Sequence, residues 1–176
     1  MPLITERVDV EAVIVGDGPE RQKLEALAEN LEIGDRVQFL GARRHEEMPA
    51  LLSSAELAVF PSLMEATSVA ALESMACELP VAASDVGGLP EIVDGDVGAL
   101  FEAGNPTALA AAVTSLLERE DLRVLGAAAR SRVAERWSNA RLVDRHLEVY
   151  EDLLRRDGDQ LRSPAGGSGT EPVRGA

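Results

Sequence analysis

Two carboxylates, Glu65 and Glu73, stand in the stretch PSLMEATSVAALESMAC, from Pro61 to Cys77. Carboxylates are rarely fully buried unless something pairs with them. Between them, Ala66, Thr67, Ser68, Val69, Ala70 and Ala71 are all small or short. Such residues leave room for a ligand to reach backbone N–H groups. A helix starting here would take Thr67 or Ser68 as its N-cap. Its free N–H groups and its dipole suit an anion such as a diphosphate. If both glutamates were helical, about 12 Å of helix axis would separate them, at ~1.5 Å per residue. That is roughly the reach of a nucleoside diphosphate sugar. Carboxylates accept hydrogen bonds from paired hydroxyls such as a ribose or hexose diol. On spacing alone a plainer reading weighs more: Glu73 is solvated and Glu65 is a favourable charge near a helix start.

Other candidates lie elsewhere in the chain. Gly16-Asp17-Gly18-Pro19 looks like half of a dinucleotide fingerprint, with two glycines that let a phosphate approach the backbone. The third glycine is absent, and a tight strand-to-helix turn explains the tetrapeptide equally well. Gly87 and Gly88 form either a second anion nest or a plain turn, with Glu91 as a structural cap. His45 reads as a surface residue and Cys77 as a small buried one. Asp94 and Asp96 read as a turn, because no further carboxylate follows at metal-loop spacing.

The elements that must position these residues alternate. Short Val/Ile-rich runs, VEAVIVG, RVQFLG, ELAVF, PVAAS and VGALF, read as strands. Amphipathic stretches between them read as helices. One begins after Pro19 and stops at Gly34; another starts at Asn105-Pro106; two more cover about Asp121 to Glu135 and Ser138 to Arg155. Such alternation predicts an α/β fold: a single Rossmann-like parallel sheet with helices on both faces. Ligands then bind at the carboxyl ends of the strands. Gly16–Gly18, Gly41, Ser62–Glu65, Ser84–Gly88 and Phe101–Gly104 all follow strands and are expected along that edge. Residues 8–156 are expected to form one domain. The Gly/Pro/Ser-rich residues 157–176 are expected to be a disordered tail.

Composition narrows the classes. The chain has 176 residues, 45% hydrophobic but only 3% aromatic, so its core is aliphatic. A net charge of −14 argues against nucleic acid as a partner. One cysteine excludes an internal disulfide and a Cys-rich metal site. No apolar run reaches about 18 residues, so no transmembrane span is expected. The first residues lack an apolar signal core, and the expected location is the cytoplasm.

Three stretches together resemble a known family. They are VIVGDGPERQKLEALAENLEIGDRVQFLG, MPALLSSAELAVFPSLMEATSVAALESMACELPVAASDVGGLPEIVDGDVGALFEAGNPTALAAAV and RWSNARLVDRHLEVYEDLL. They look like the carboxyl-terminal, donor-binding domain of retaining glycosyltransferases of the family-4 type, which have the GT-B fold of two Rossmann domains. The likeness covers about Val10 to Leu154. The family's E-x7-E motif matches Glu65 and Glu73.

The resemblance implies roles for individual residues. Glu65 is the catalytic candidate and approaches the donor sugar hydroxyls. Backbone amides of Ala66, Thr67, Ser68 and Val69 contact the diphosphate or sugar. Glu73 holds the ribose hydroxyls. Gly16, Asp17 and Gly18 lie near the diphosphate or nucleoside, and Gly41, Ala42 and Arg43 near the base. It implies a UDP- or GDP-linked sugar as substrate, transfer with retention, and neither a metal nor another cofactor.

Two departures stand out. Ala66-Thr67-Ser68 replaces the Gly-Phe-Gly type of sequence found in many members. No acceptor-binding domain and no first strand with its basic loop precede Val10. Transfer by this chain alone is therefore expected to be weak or nil. Three alternatives stay open: a truncated product, one subunit completed by a separate acceptor-binding domain or chain, and a non-catalytic nucleotide-binding or interaction module. Peripheral membrane association is expected only if the acceptor is a lipid.

Overall fold

The computed structural model describes residues 1–162, with side chains described to residue 156. The chain divides into two units, Met1–Trp137 and a second from Ser138 onwards. The first unit alternates helix and strand: α1 (Pro2–Thr5), β1 (Ala12–Val15), α2 (Arg21–Asn30), β2 (Val37–Gly41), α3 (Met48–Ser53), β3 (Ala58–Phe60), α4 (Val69–Ala76), β4 (Val81–Ser84), α5 (Leu89–Ile92), β5 (Gly98–Phe101), α6 (Pro106–Leu117) and α7 (Leu122–Arg136). Single 3₁₀ turns at Gly34–Arg36 and His45–Glu47 precede β2 and α3. Among the described residues the second unit is one helix, α8 (Asn139–Arg162). Six residues of the expected tail, 157–162, are therefore helical, and residues 163–176 lie outside the described residues.

Among the described residues all strand pairs are parallel, as the alternation of elements predicts. The expected single ladder is in two pieces: β1 pairs with β2, and β3-β4-β5 form a separate three-stranded sheet. Registers are Ala12↔Val37 in the first, and Ala58↔Val81 and Val81↔Gly98 in the second. A register shift between Ile14 and Val15 carries β1 into the Gly16 turn.

The core forms around β4. Every residue of β4 is buried, as expected for a strand with a neighbour on each side and helices on each face. One cluster joins Val81 and Ala83 to Met75 of α4, Leu89 and Ile92 of α5, and Ala129 of α7. The other joins Ala82 and Phe101 to Val113 and Leu116 of α6, Leu125 of α7 and Ile4 of α1. Alternate residues of β4 thus feed opposite faces, as pleating requires. Each fully buried aliphatic side chain contributes about 1.5–3 kcal/mol. The short helix α1 is absent from the sequence reading. Four residues are too few for a periodic signal, and the burial of Ile4 beside α6 holds it in place.

Two local devices fix the helices. Asn105 caps α6 by accepting hydrogen bonds from the N–H groups of Thr107 (3.1 Å) and Ala108 (3.0 Å), with Pro106 at the first helical position. Gly126 of α7 faces the turn after α4, where an added Cβ would stand 2.1 Å from the Glu78 carbonyl oxygen. Arg132 of α7 then reaches the Asp94 carboxylate at 2.8 Å.

Gly126→Ala is expected to lower stability by about 1–3 kcal/mol, because backbone must move. Gly95→Ala, where a Cβ meets nothing within 4 Å, is the control and is expected to change little. Thermal unfolding of the two variants checks this. The Asp94–Arg132 pair gives a pH dependence. The hydrogen bond from Arg132 holds the Asp94 carboxyl below its ordinary value, against the opposing effect of burial. A lowered folded-state value means that the pair's stabilisation is present above the unfolded value, near 3.8, and is lost as pH falls through the folded value. The Tm difference between the native chain and Arg132→Met is therefore expected to be full at pH 7 and to shrink below about pH 4. A difference independent of pH contradicts the assignment.

Candidate functional site

The carboxyl ends of the strands carry the candidate residues. Val15 leads into Gly16 at φ +126°, whose N–H donates to the Gly41 carbonyl oxygen at the end of β2, 2.9 Å away. Gly41 itself has φ +69°, a conformation costly for a side chain. The two glycine-bearing turns are therefore hydrogen-bonded neighbours. Asp17 accepts the Gly18 N–H at 2.9 Å, which shapes the turn that opens α2. Arg21, which the sequence reading passed over, ties these pieces together. Its guanidinium donates to the Phe39 carbonyl oxygen at 3.2 Å and pairs with Glu25 at 2.8 Å and Asp17 at 3.8 Å. Ala42 and Arg43 follow, both exposed. Arg44 turns to Glu47 at 3.3 Å, whereas Arg43 has no ion-pair partner among the described residues.

After β3 the chain is irregular until α4. Ser68, not Thr67, is the N-cap: it is buried, and its hydroxyl accepts the Ala71 N–H at 3.3 Å. The cap satisfies one of the free N–H groups, typically worth about 1 kcal/mol. Glu65 lies before the helix, so the helical spacing of about 12 Å at ~1.5 Å per residue does not apply to this pair. Glu65 and Glu73 are both partly buried, while Ala66, Thr67 and Val69 are exposed.

The glycine turn after β4 fixes the Glu65 segment. The Gly88 N–H donates to the Glu65 carbonyl oxygen at 3.3 Å. An added Cβ would fall 1.5 Å from that oxygen at Gly87 and 2.2 Å from the Ala66 oxygen at Gly88. Only residues without a side chain allow this approach, and Gly87 has φ +53° as well. Two stretches that the sequence offers as separate candidates are thus one assembly. Asp85 and Glu102, at the ends of β4 and β5, border a shallow cleft along the same edge. A second cleft, at Asp9, Glu11 and Arg36, is at the opposite ends of the strands and takes no part.

The sequence reads His45 as a surface residue. It is exposed, yet its Nδ1 stands 3.6 Å from a Glu73 carboxylate oxygen. The 3₁₀ turn before α3 delivers it there, and no sequence signal links residues so far apart. A half-exposed carboxylate with an imidazole beside it is suited to accepting hydrogen bonds from a diol. Among the described residues no group of three or more His, Cys, Asp or Glu side chains is arranged to hold a metal ion.

Residues 1–132 match the family described as glycosyl transferases group 1. The chain is 38% identical over 157 residues to N-acetyl-alpha-D-glucosaminyl L-malate synthase of Bacillus anthracis, covering 88% of this chain and 40% of that protein. It is 36% identical to D-inositol 3-phosphate glycosyltransferase of Corynebacterium urealyticum, covering 86% and 37%. The chain thus spans about two-fifths of the length of these relatives. Sucrose-phosphate synthase of Thermosynechococcus elongatus shares the fold with a TM-score of 0.78 and 30% identity, over 88% of this chain and 41% of that one. Anabaena HepE, solved in complex with UDP, shares it with a TM-score of 0.77 at 24% identity, over 86% and 43%. The matched family span takes in every candidate residue from Gly16 to Glu73, and the chain belongs to the glycosyl transferases group 1 family.

Proposed function

We propose that this chain is the donor-binding half of a retaining glycosyltransferase that uses a UDP- or GDP-linked sugar. The observation that carries the reading is the seating of the Glu65–Ala66 backbone on Gly87 and Gly88, directly before the capped start of α4. It fixes a carboxylate, a run of exposed short residues and a helix start in sequence along the ligand edge of the sheet. The relatives' names, a sugar malate synthase and an inositol phosphate glycosyltransferase, fit transfer of a sugar. The UDP in the Anabaena structure of the same fold fits a nucleotide donor.

In this account Glu73 accepts hydrogen bonds from the ribose hydroxyls, with His45 beside it. The N–H groups from Ala66 to Val69 and the dipole of α4 meet the charge that develops on the leaving diphosphate. Fixed donors stabilise that charge without reorganising during the reaction. Glu65 faces the sugar and orients its hydroxyls. Gly16 to Gly18 approach the diphosphate or nucleoside, and Gly41, Ala42 and Arg43 border the base, where Arg43 supplies a cation. No metal takes part. The acceptor is held by a domain outside this chain's span of its relatives.

Isothermal calorimetry with UDP and GDP tests the site. One of the two is expected to bind. Glu73→Ala is expected to weaken it about tenfold or more, or roughly 1.4 kcal/mol. Gly87→Ala is expected to weaken it further by displacing the Glu65 segment, with the unfolding temperature measured alongside. Absence of binding by either nucleotide, or equal binding by native chain and Glu73→Ala, contradicts the proposal.

A further inference from the structure

Among the described residues the Glu73 side chain has one ion-pair partner, His45, whose Nδ1 stands 3.6 Å from Oε1. That distance is an ion-pair contact and longer than a hydrogen bond. Contacts in a ligand site often tighten only when the ligand is in place. The pair does little for the fold. The His45 side chain is 79% exposed and that of Glu73 34%, and an ion pair so placed adds little stability.

Both partners nevertheless stand on firm backbone. His45 opens the 3₁₀ turn before α3, and that turn closes on itself: the Glu47 carboxylate accepts the Arg44 N–H at 3.0 Å and the Arg44 Nε–H at 3.3 Å. Glu73 lies on α4, whose start is capped by Ser68 and whose neighbouring residues Ser74 and Met75 are buried. The charges around His45 are few. On its own segment Arg44 and Glu47 pair with each other, with Arg43 and Glu46 beside them; from α4 the group that meets it is Glu73.

A glutamate that must meet two adjacent hydroxyls gives up rotamer freedom on binding. A partner that holds one carboxylate oxygen beforehand lowers that cost. Imidazole does this best when protonated. Neutral imidazole carries a single N–H, and the tautomer with a bare Nδ1 turns a lone pair toward the carboxylate. Imidazolium donates from both nitrogens, and its bond to a carboxylate is charge-assisted. Histidine is the side chain whose ordinary charge change falls between about pH 5 and 8.

We propose that His45 is the positioning residue of the ribose site: its imidazolium holds one oxygen of Glu73, presents the other to the ribose diol, and so makes nucleotide affinity rise as the pH falls. This inference rests on the donor-site reading and adds to it a residue acting through Glu73 and a proton-dependent control of binding.

The test is calorimetry with UDP and GDP at pH 6 and pH 8, on the native chain and on His45→Gln, Glu73→Ala and the double variant. His45→Gln keeps a neutral N–H donor and cannot take up a proton. The ratio of native to His45→Gln affinity cancels the titration of the nucleotide itself. That ratio is expected to be near one at pH 8 and about threefold or more at pH 6, with the unfolding temperature unchanged. In the Glu73→Ala background His45→Gln is expected to change nothing at either pH, since residues that act as a unit are not additive. Where Glu73→Ala binds too weakly to measure, the 2′-deoxy nucleotide replaces it, and the ratio is expected to lose its pH dependence. A ratio equal at the two pH values overturns the inference, as does a pH effect of His45 that persists without Glu73 or without the 2′-hydroxyl. Binding that Glu73→Ala weakens but that His45→Gln leaves untouched overturns this inference alone. No binding of either nucleotide overturns the donor-site reading and this inference together.

Discussion

The candidate site depends on one close approach. The backbone of Gly87 and Gly88 lies against the carbonyl groups of Glu65 and Ala66 so tightly that no side chain fits between them. Without it, the segment from Pro61 to Thr67 would be a loop with no regular hydrogen bonding of its own. With it, the end of β3, the start of α4 and the end of β4 become one rigid corner. β4 makes this corner firm, because its four buried residues anchor the glycine turn on one side and α4, through Met75, on the other. The hydrophobic core thus sets the position of a polar edge. Burial of aliphatic surface thereby fixes the backbone N–H groups before α4, those that the proposed function offers to an anion.

The rest of the edge follows from the same economy of side chains. Gly16 and Gly41 are joined by a hydrogen bond, and Arg21 holds the turns around them through a backbone carbonyl and two carboxylates. Arg21 is thereby committed to structure, and Arg44 is committed to Glu47. Arg43 is left as the exposed cation after β2. In the proposed site, an acidic chain of net charge −14 would meet an anionic ligand chiefly with backbone dipoles, which no sequence charge count reveals.

Much of this was legible in the sequence, and the reasons are specific. Val/Ile runs ended by glycine marked the strands, and Asn105-Pro106 marked the start of α6 with the cap it has. The α/β class and the parallel pairing followed from alternation alone. Glu65 and Glu73 stood out by type and spacing, although the helical geometry assumed for Glu65 does not hold. What escaped depends on contacts between distant residues. The meeting of His45 with Glu73, the bracing by Arg21 and the seating of Gly87 on Glu65 leave no local pattern. The division of the ladder was also hidden, because strand propensity says what can pair and not whether a neighbour is present. The extent of α8 past Arg155 ran against a Gly/Asp composition that reads as a tail.

The central claim is that the corner of Glu65 to Val69, Glu73 and Gly87–Gly88 grips a nucleoside diphosphate. Amide-resolved NMR of the labelled chain titrated with UDP, and separately with GDP, tests it most directly. The account predicts saturable shifts of the amides from Ala66 to Val69 and of Gly87 and Gly88, with smaller shifts at Gly16 to Gly18. Shifts confined to the opposite end of the strands, around Asp9, Asp35 and Arg36, or none with either nucleotide, would contradict it.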